Sequence, residues 1–143
     1  MKRFIMISAA LFIYAAIALA DDRPVKFDQL PEAARTFLNA NFPTENILIA
    51  TKENDVFYPD YNVTLENGVH LEFYSNGALK TVESRGGVPD GLVPVQIVEF
   101  VKVRYPDARI IEYDVAKHHF DVELSNGIEL KFNRNYNLMK IDD

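Results

Sequence analysis

The sequence predicts an α+β fold made of a tandem repeat, each copy a helix followed by four antiparallel strands. Three observations point to it. "YNVTLENGVHLEFYSNGALK" (61–80) returns as "FDVELSNGIELKFNRNYNLMK" (120–140). "LPEAARTFLNANFPTENILIA" (30–50) returns as "VPVQIVEFVKVRYPDARIIEY" (93–113) at a constant offset of 63, Leu30 to Val93. The offset falls to 59 from Tyr61 onward, so the first copy holds four extra residues within "KENDVFYPD". Matches that preserve both apolar parity and turn residues mark a duplicated supersecondary unit.

The chain opens "MKRFIMISAALFIYAAIALADD", a short basic start, an apolar run and a small-x-small "ALA" ending at Ala20. That is the pattern of a cleavable signal peptide over residues 1–20, and the absence of cysteine excludes a lipid anchor at the cleavage point. Removing 20 of the 143 residues leaves 123, one domain's worth, and takes the net charge from −6 to −8 with the loss of Lys2 and Arg3. Such an acidic surface repels phosphate backbones and anionic lipid, so nucleic acid is excluded as a partner, and so is a membrane after cleavage. With no cysteines an exported chain has no disulfides and rests on its core, which 48% hydrophobic residues can supply. The expected location is periplasmic or secreted.

Each copy reads helix first. Pro31 and Pro94 suit a first helical turn, where a missing N–H costs nothing. Asp28 is placed to cap the first helix from upstream. Leu30, Ala34, Phe37, Leu38 and Phe42 follow helical spacing in copy one, as do Ile97, Val98, Val101 and Tyr105 in copy two. Pro43 and Pro106 stop both helices.

After an extended segment comes the hairpin. Pairing Leu65 with Val69, Val63 with Leu71 and Tyr61 with Phe73 puts both apolar rows on one face. That register needs a three-residue loop, Glu66-Asn67-Gly68, with Gly68 in the left-handed region. Copy two obeys the same arithmetic: Leu124 with Ile128, Val122 with Leu130, Phe120 with Phe132, around Ser125-Asn126-Gly127. One sheet face is then apolar and covered by its helix. The other stays open and carries Asn62, Thr64, Glu66, His70, Glu72 and Tyr74, then Asp121, Glu123, Ser125, Glu129, Lys131 and Asn133. The repeats span about 24–84 and 92–143, joined by the Gly/Pro-rich "VESRGGVPDGLVP" (82–94).

Chemistry-bearing patterns are sparse. His118 and His119 are strand neighbours that point to opposite faces and cannot converge on one ion without a bulge. No nucleophile elbow, P-loop or dinucleotide-binding glycine pattern occurs, and no cofactor or metal is expected. Acidic residues alternating along half-exposed strands read as solubility and edge protection before acid–base catalysis. The aromatic residues are more suggestive, because tyrosine can stay exposed and still supply contact area.

The prolines, turn glycines and alternating apolar residues of "NFP"/"RYP" and the twin hairpins resemble the PepSY-like domains of exported bacterial proteins. These tandem domains resemble the beta-lactamase inhibitor protein fold. The resemblance covers residues 24–143 and implies a single domain over 21–143, with no catalytic residues and no assigned function in most members. Copy two departs from copy one at Tyr136, opposite Gly77, so its last turn should be built differently.

The expected function is a non-enzymatic protein- or peptide-binding module that uses its open sheet face. Phe57, Tyr58 and Tyr74 would act as anchors, and His70, Glu72, Glu123, Glu129 and Lys131 would set charge preference. The alternative is inhibition of a peptidase or other exported hydrolase by docking of the sheet face.

Overall fold

The computed structural model describes residues 22–143, so the proposed signal peptide (1–20) lies outside the described residues. Among the described residues two α-helices, α1 (Glu32–Asn41) and α2 (Val95–Arg104), accompany nine strands. These are β1 (Arg23–Pro24), β2 (Ile47–Lys52), β3 (Tyr61–Leu65), β4 (His70–Phe73), β5 (Leu79–Glu83), β6 (Ile110–Val115), β7 (His119–Leu124), β8 (Glu129–Asn133) and β9 (Leu138–Asp142). The strands are hydrogen-bonded in chain order in one open sheet. The chain groups into two compact units. One runs to Asn67 and takes in Leu71–Leu79; the other holds Gly68–His70 and Lys80–Asp143.

In the first unit, β2 pairs antiparallel with β3, Ala50 opposite Val63 and Lys52 opposite Tyr61, with a bulge between Ile47 and Ile49. Along β3 and β4 the even pleat buries Tyr61, Val63, Leu65, Leu71 and Phe73 and leaves Asn62, Thr64, His70 and Glu72 half-exposed. Helix α1 lies on the buried row: Phe37 meets Phe73 edge-on with ring centroids 5.7 Å apart. Asp28 does not cap this helix. It sits exposed in a short 3-10 turn (Phe27–Gln29), and Pro31 holds the N-cap position without a side-chain cap bond. The turn is closed instead by Gln29 Oε1, which accepts from the Lys26 N–H at 2.7 Å. Two residues, Gln29 and Leu30, separate Asp28 from Pro31, and the short turn there leaves the helix start without a side-chain cap bond.

In the second unit the expected register holds residue by residue: Phe120 opposite Phe132, Val122 opposite Leu130, and Leu124 N–H donating to the Ile128 carbonyl. Gly127 takes φ +87°, the left-handed conformation that the three-residue loop demands. An apolar row crosses five strands in register, Val82–Tyr113–Val122–Leu130–Ile141. Helix α2 covers this side through Ile97, Val98 and Val101, all buried, and through Phe100 edge-on against Phe132 at 5.4 Å. Burying a ring the size of Phe132 is worth about 1.5–3 kcal/mol, and the aromatic pair adds about 0.5–1.5 kcal/mol.

The Gly/Pro-rich stretch before α2 is fastened rather than loose. The Val88 N–H donates to the Ile110 carbonyl at 2.7 Å, Arg109 Nε donates to the Arg85 carbonyl at 3.1 Å, and Val88 and Val93 are buried. Among the described residues no helix is long and apolar enough to cross a membrane.

The turn 133–137 corrects the sequence-based expectation. Tyr136 N–H donates to Asn133 O and Asn133 N–H to Asn137 O, the pattern that Gly77, Tyr74 and Ala78 make at 74–78. Tyr136 itself adopts φ +64°, a left-handed conformation that costs an L-residue about 1–2 kcal/mol. The Asn133 carboxamide offsets part of that by accepting from the Asn135 and Asn137 N–H groups at 2.9 and 3.0 Å. The ring supplies the rest. Tyr136 stacks on Phe120 at 5.5 Å, Phe120 stacks on Tyr113 at 6.1 Å, and the Arg134 guanidinium lies 4.6 Å from the Phe120 centroid.

Candidate functional site

The polar face of the second unit follows from the same pleat that builds its core. Every residue between two members of the apolar row points the other way. The registers therefore align acids directly opposite one another across five strands: Glu83–Glu112–Glu123–Glu129–Asp142. The adjoining row reads Thr81–Asp114–Asp121–Lys131–Lys140. Facing side chains in such a ladder stand about 4.5–5.5 Å apart at Cβ, and each like-charged pair costs about 0.2–1 kcal/mol. Four consecutive acidic pairs are a liability that solubility alone would avoid by alternating signs.

Hydrogen bonds and ion pairs answer part of this charge. Thr81 Oγ1 donates to Asp114 Oδ1 at 2.7 Å. His119 Nε2 lies 2.9 Å from Asp121 Oδ2, and Lys140 Nζ lies 3.1 Å from Asp142 Oδ2. Glu112, in the middle of the face, is pushed up to about 9, mainly by burial, then by the charges of Asp114 and Glu83, by a hydrogen bond to Asp114 and by Glu123. Glu129 is raised by burial and by the neighbouring acids Glu123, Asp142, Asp121 and Asp114. On the apolar side, burial and the Tyr136 hydroxyl push Tyr113 up to about 12, against the pull of Arg134.

The residues singled out from sequence fall in distinct places. Glu123 and Glu129 are direct cross-strand partners, and Lys131 stands opposite Asp121 in the next row. His70 and Glu72 take the half-exposed positions of β4, and Tyr74 follows in the turn, its N–H donating to Ala78 O at 2.8 Å. Phe57 and Tyr58 lie apart from these strands at the tip of the β2–β3 connection, 81% and 77% exposed beside Val56 at 88%. Asp55 organises that tip, its Oδ1 accepting from the Phe57 and Tyr58 N–H groups at 2.9 and 3.3 Å.

Sequence reasoning missed Glu83, Glu112 and Asp142. Parity marks each as facing away from the core, but their alignment with Glu123 and Glu129 depends on pairings between separate strands. A bulge between Ile110 and Glu112, and another between Lys131 and Phe132, set those pairings. Among the described residues, no group of three His, Cys, Asp or Glu side chains is placed to hold a metal ion.

Comparison with known proteins agrees with this architecture. The family model described as "Putative beta-lactamase-inhibitor-like, PepSY-like" matches residues 19–81 and again 59–140. No curated protein matches the chain. Among solved structures, a "putative periplasmic protein" of the DUF2874 family from Bacteroides vulgatus is 38% identical, with TM-score 0.79, covering 86% of this chain and 98% of that one. A "putative calcium-regulated periplasmic protein" from Bacteroides thetaiotaomicron is 33% identical, with TM-score 0.82, covering 87% and 99%. A second B. vulgatus "putative periplasmic protein of unknown function" is 26% identical, with TM-score 0.78, covering 85% and 99%. None of these descriptions names a reaction. With two regions of the family model spanning nearly all of its described length, the chain belongs to the PepSY-like, beta-lactamase-inhibitor-like family.

Proposed function

We propose that this is a periplasmic, non-enzymatic binding protein whose open sheet face recognises a cationic protein or peptide segment. The observation that carries this reading is the in-register acidic row Glu83–Glu112–Glu123–Glu129–Asp142. An extended lysine- or arginine-bearing segment laid across the strands would meet an acidic side chain on each of them, and its cations would relieve the repulsion among the ionised ones. Lys131 and Lys140 in the neighbouring row would set the orientation by excluding cations there. Phe57 and Tyr58 are the proposed apolar anchors in the first unit, where Asp55 pre-orders the loop at low entropic cost. His70, Glu72 and Tyr74 on and after β4 are the remaining proposed contacts.

The test is fluorescence anisotropy with an arginine-rich peptide, an acidic peptide of equal length and a graded salt series. Binding restricted to the basic peptide, weakening with salt and lost on Glu123→Lys/Glu129→Lys, is the expected result; equal binding of both peptides would remove the basis for the reading. Calcium belongs in the same experiment, because one relative is described as calcium-regulated and carboxylates are ordinary calcium ligands. With no group of acids among the described residues placed to hold a metal ion, calcium should weaken the basic peptide no more than sodium at equal ionic strength.

A second reading, inhibition of an exported peptidase or other hydrolase by the same face, is favoured by the family description. Titration against a panel of exported hydrolases tests it: a stoichiometric loss of one activity supports inhibition, and flat activity throughout removes it.

A further inference from the structure

We propose that the polar face of the second unit is a proton-linked device: the folded sheet holds one proton on Glu112, shared with Asp114, and the pairing of β5, β6 and β7 weakens when that proton leaves. The inference stands on the strand geometry and does not depend on the identity of any partner. Glu112 has Glu83 opposite it on β5 and Glu123 opposite it on β7, and Asp114 sits two residues along its own strand on the same face. Beyond them the row continues to Glu129 on β8 and Asp142 on β9. Among the described residues, the charges that act on Glu112 are those of the acids Asp114, Glu83 and Glu123. The cations of this face stand one row away, with Lys131 opposite Asp121 and Lys140, and Lys140 in an ion pair with Asp142. His119 is engaged with Asp121.

The placement of the proton follows from the hydrogen bonds. Asp114 Oδ1 accepts from the Thr81 hydroxyl at 2.7 Å, which fixes the orientation of its carboxyl group. Glu112, hydrogen-bonded to Asp114 and enclosed by Glu83 and Glu123, is the partner that carries the proton and donates it. Burial and the surrounding acids raise Glu112 from 4.5 to about 9.

The sign follows from proton linkage. The folded chain binds this proton at pH values where the unfolded chain has released it. Its contribution to stability is therefore greatest below about 4.5 and declines as pH rises towards about 9. Between those two values the loss of this one proton lowers the folding equilibrium constant by at most tenfold per pH unit.

The experiment is urea unfolding of the protein between pH 6 and 9, wild type beside Glu112→Gln. The amide is neutral at every pH and can still donate to Asp114. The variant should gain on the wild type steadily as pH rises, by up to tenfold in folding constant per pH unit, and parallel curves would overturn the proposal. A second measurement needs no variant: carbon-detected NMR titration of the glutamate side-chain carboxyls in the folded wild type. One glutamate carboxyl titrating above pH 7 is expected, and uniform titration near the ordinary value would overturn it.

Discussion

Adding a single methyl group at Gly77 tests the packing of α1 against the β4–β5 turn more sharply than any core deletion. A Cβ built at Gly77 would stand 2.8 Å from Pro31 Cβ, 2.9 Å from the Ala34 backbone nitrogen and 3.0 Å from Ala33 Cβ. Ordinary contact begins near 3.4 Å, so the start of the helix has to retreat by about half an ångström. Gly77 also sits at φ +85°, where an L-residue loses about 1–2 kcal/mol. Overpacking of a rigid backbone contact costs about 1–3 kcal/mol more.

Gly68 supplies the control, because its φ of +89° nearly equals that of Gly77 while a Cβ there would meet nothing within 4 Å. Gly68→Ala should therefore cost about 1–2 kcal/mol and Gly77→Ala about 2–5 kcal/mol, from a total of roughly 5–15 kcal/mol for a domain of this kind. Equilibrium urea unfolding reads both. Equal losses at the two positions would show that the helix start does not rest on Gly77 and would refute the reasoning.

Two further outcomes are expected. Tyr136→Ala keeps the φ of +64° and loses the stacked ring, so it should destabilise by about 1–3 kcal/mol. Tyr136→Gly relieves the backbone strain and should recover about 1 kcal/mol of that loss by urea unfolding; identical losses would contradict the strained turn. Asp55→Ala removes the acceptor that orders the Phe57–Tyr58 tip, a local bond pair worth about 1 kcal/mol. Amide exchange at Phe57 and Tyr58 should accelerate while the melting temperature stays nearly constant, and unchanged exchange would contradict the local role of Asp55.

What could be read from the chain divides along physical lines. Pleat parity and turn length are local, so the register Phe120–Phe132 and Val122–Leu130 followed from apolar alternation around Ser125-Asn126-Gly127. The helix stops at Pro43 and Pro106 were legible for the same reason, since a proline acts on its immediate neighbours. Asp28 misled because its residue type favours capping, whereas the chain spends that stretch on a 3-10 turn that delays the helix to Glu32.

Tyr136 misled in the opposite sense. Its residue type argues against a left-handed turn, yet stacking on Phe120, a contact 16 positions away in the chain, stabilises it there. The carboxylate row was half legible. Glu123 and Glu129 belong to one hairpin, so parity identified them together. Glu83 joins through the pairing of β5 with β6, and Glu112 and Asp142 through pairings next to bulges, none of which a local pattern reports.

The central claim is that the acidic row, and not the aromatic loop alone, is the recognition surface. The most direct measurement is an amide NMR titration of the isotope-labelled protein with an arginine-rich peptide, repeated on Glu123→Gln/Glu129→Gln. Shifts concentrated at Glu83, Glu112, Glu123, Glu129 and Asp142 are expected, and they should collapse in the double variant. Shifts confined to Val56–Tyr58, or shifts of equal size in wild type and double variant, would contradict it.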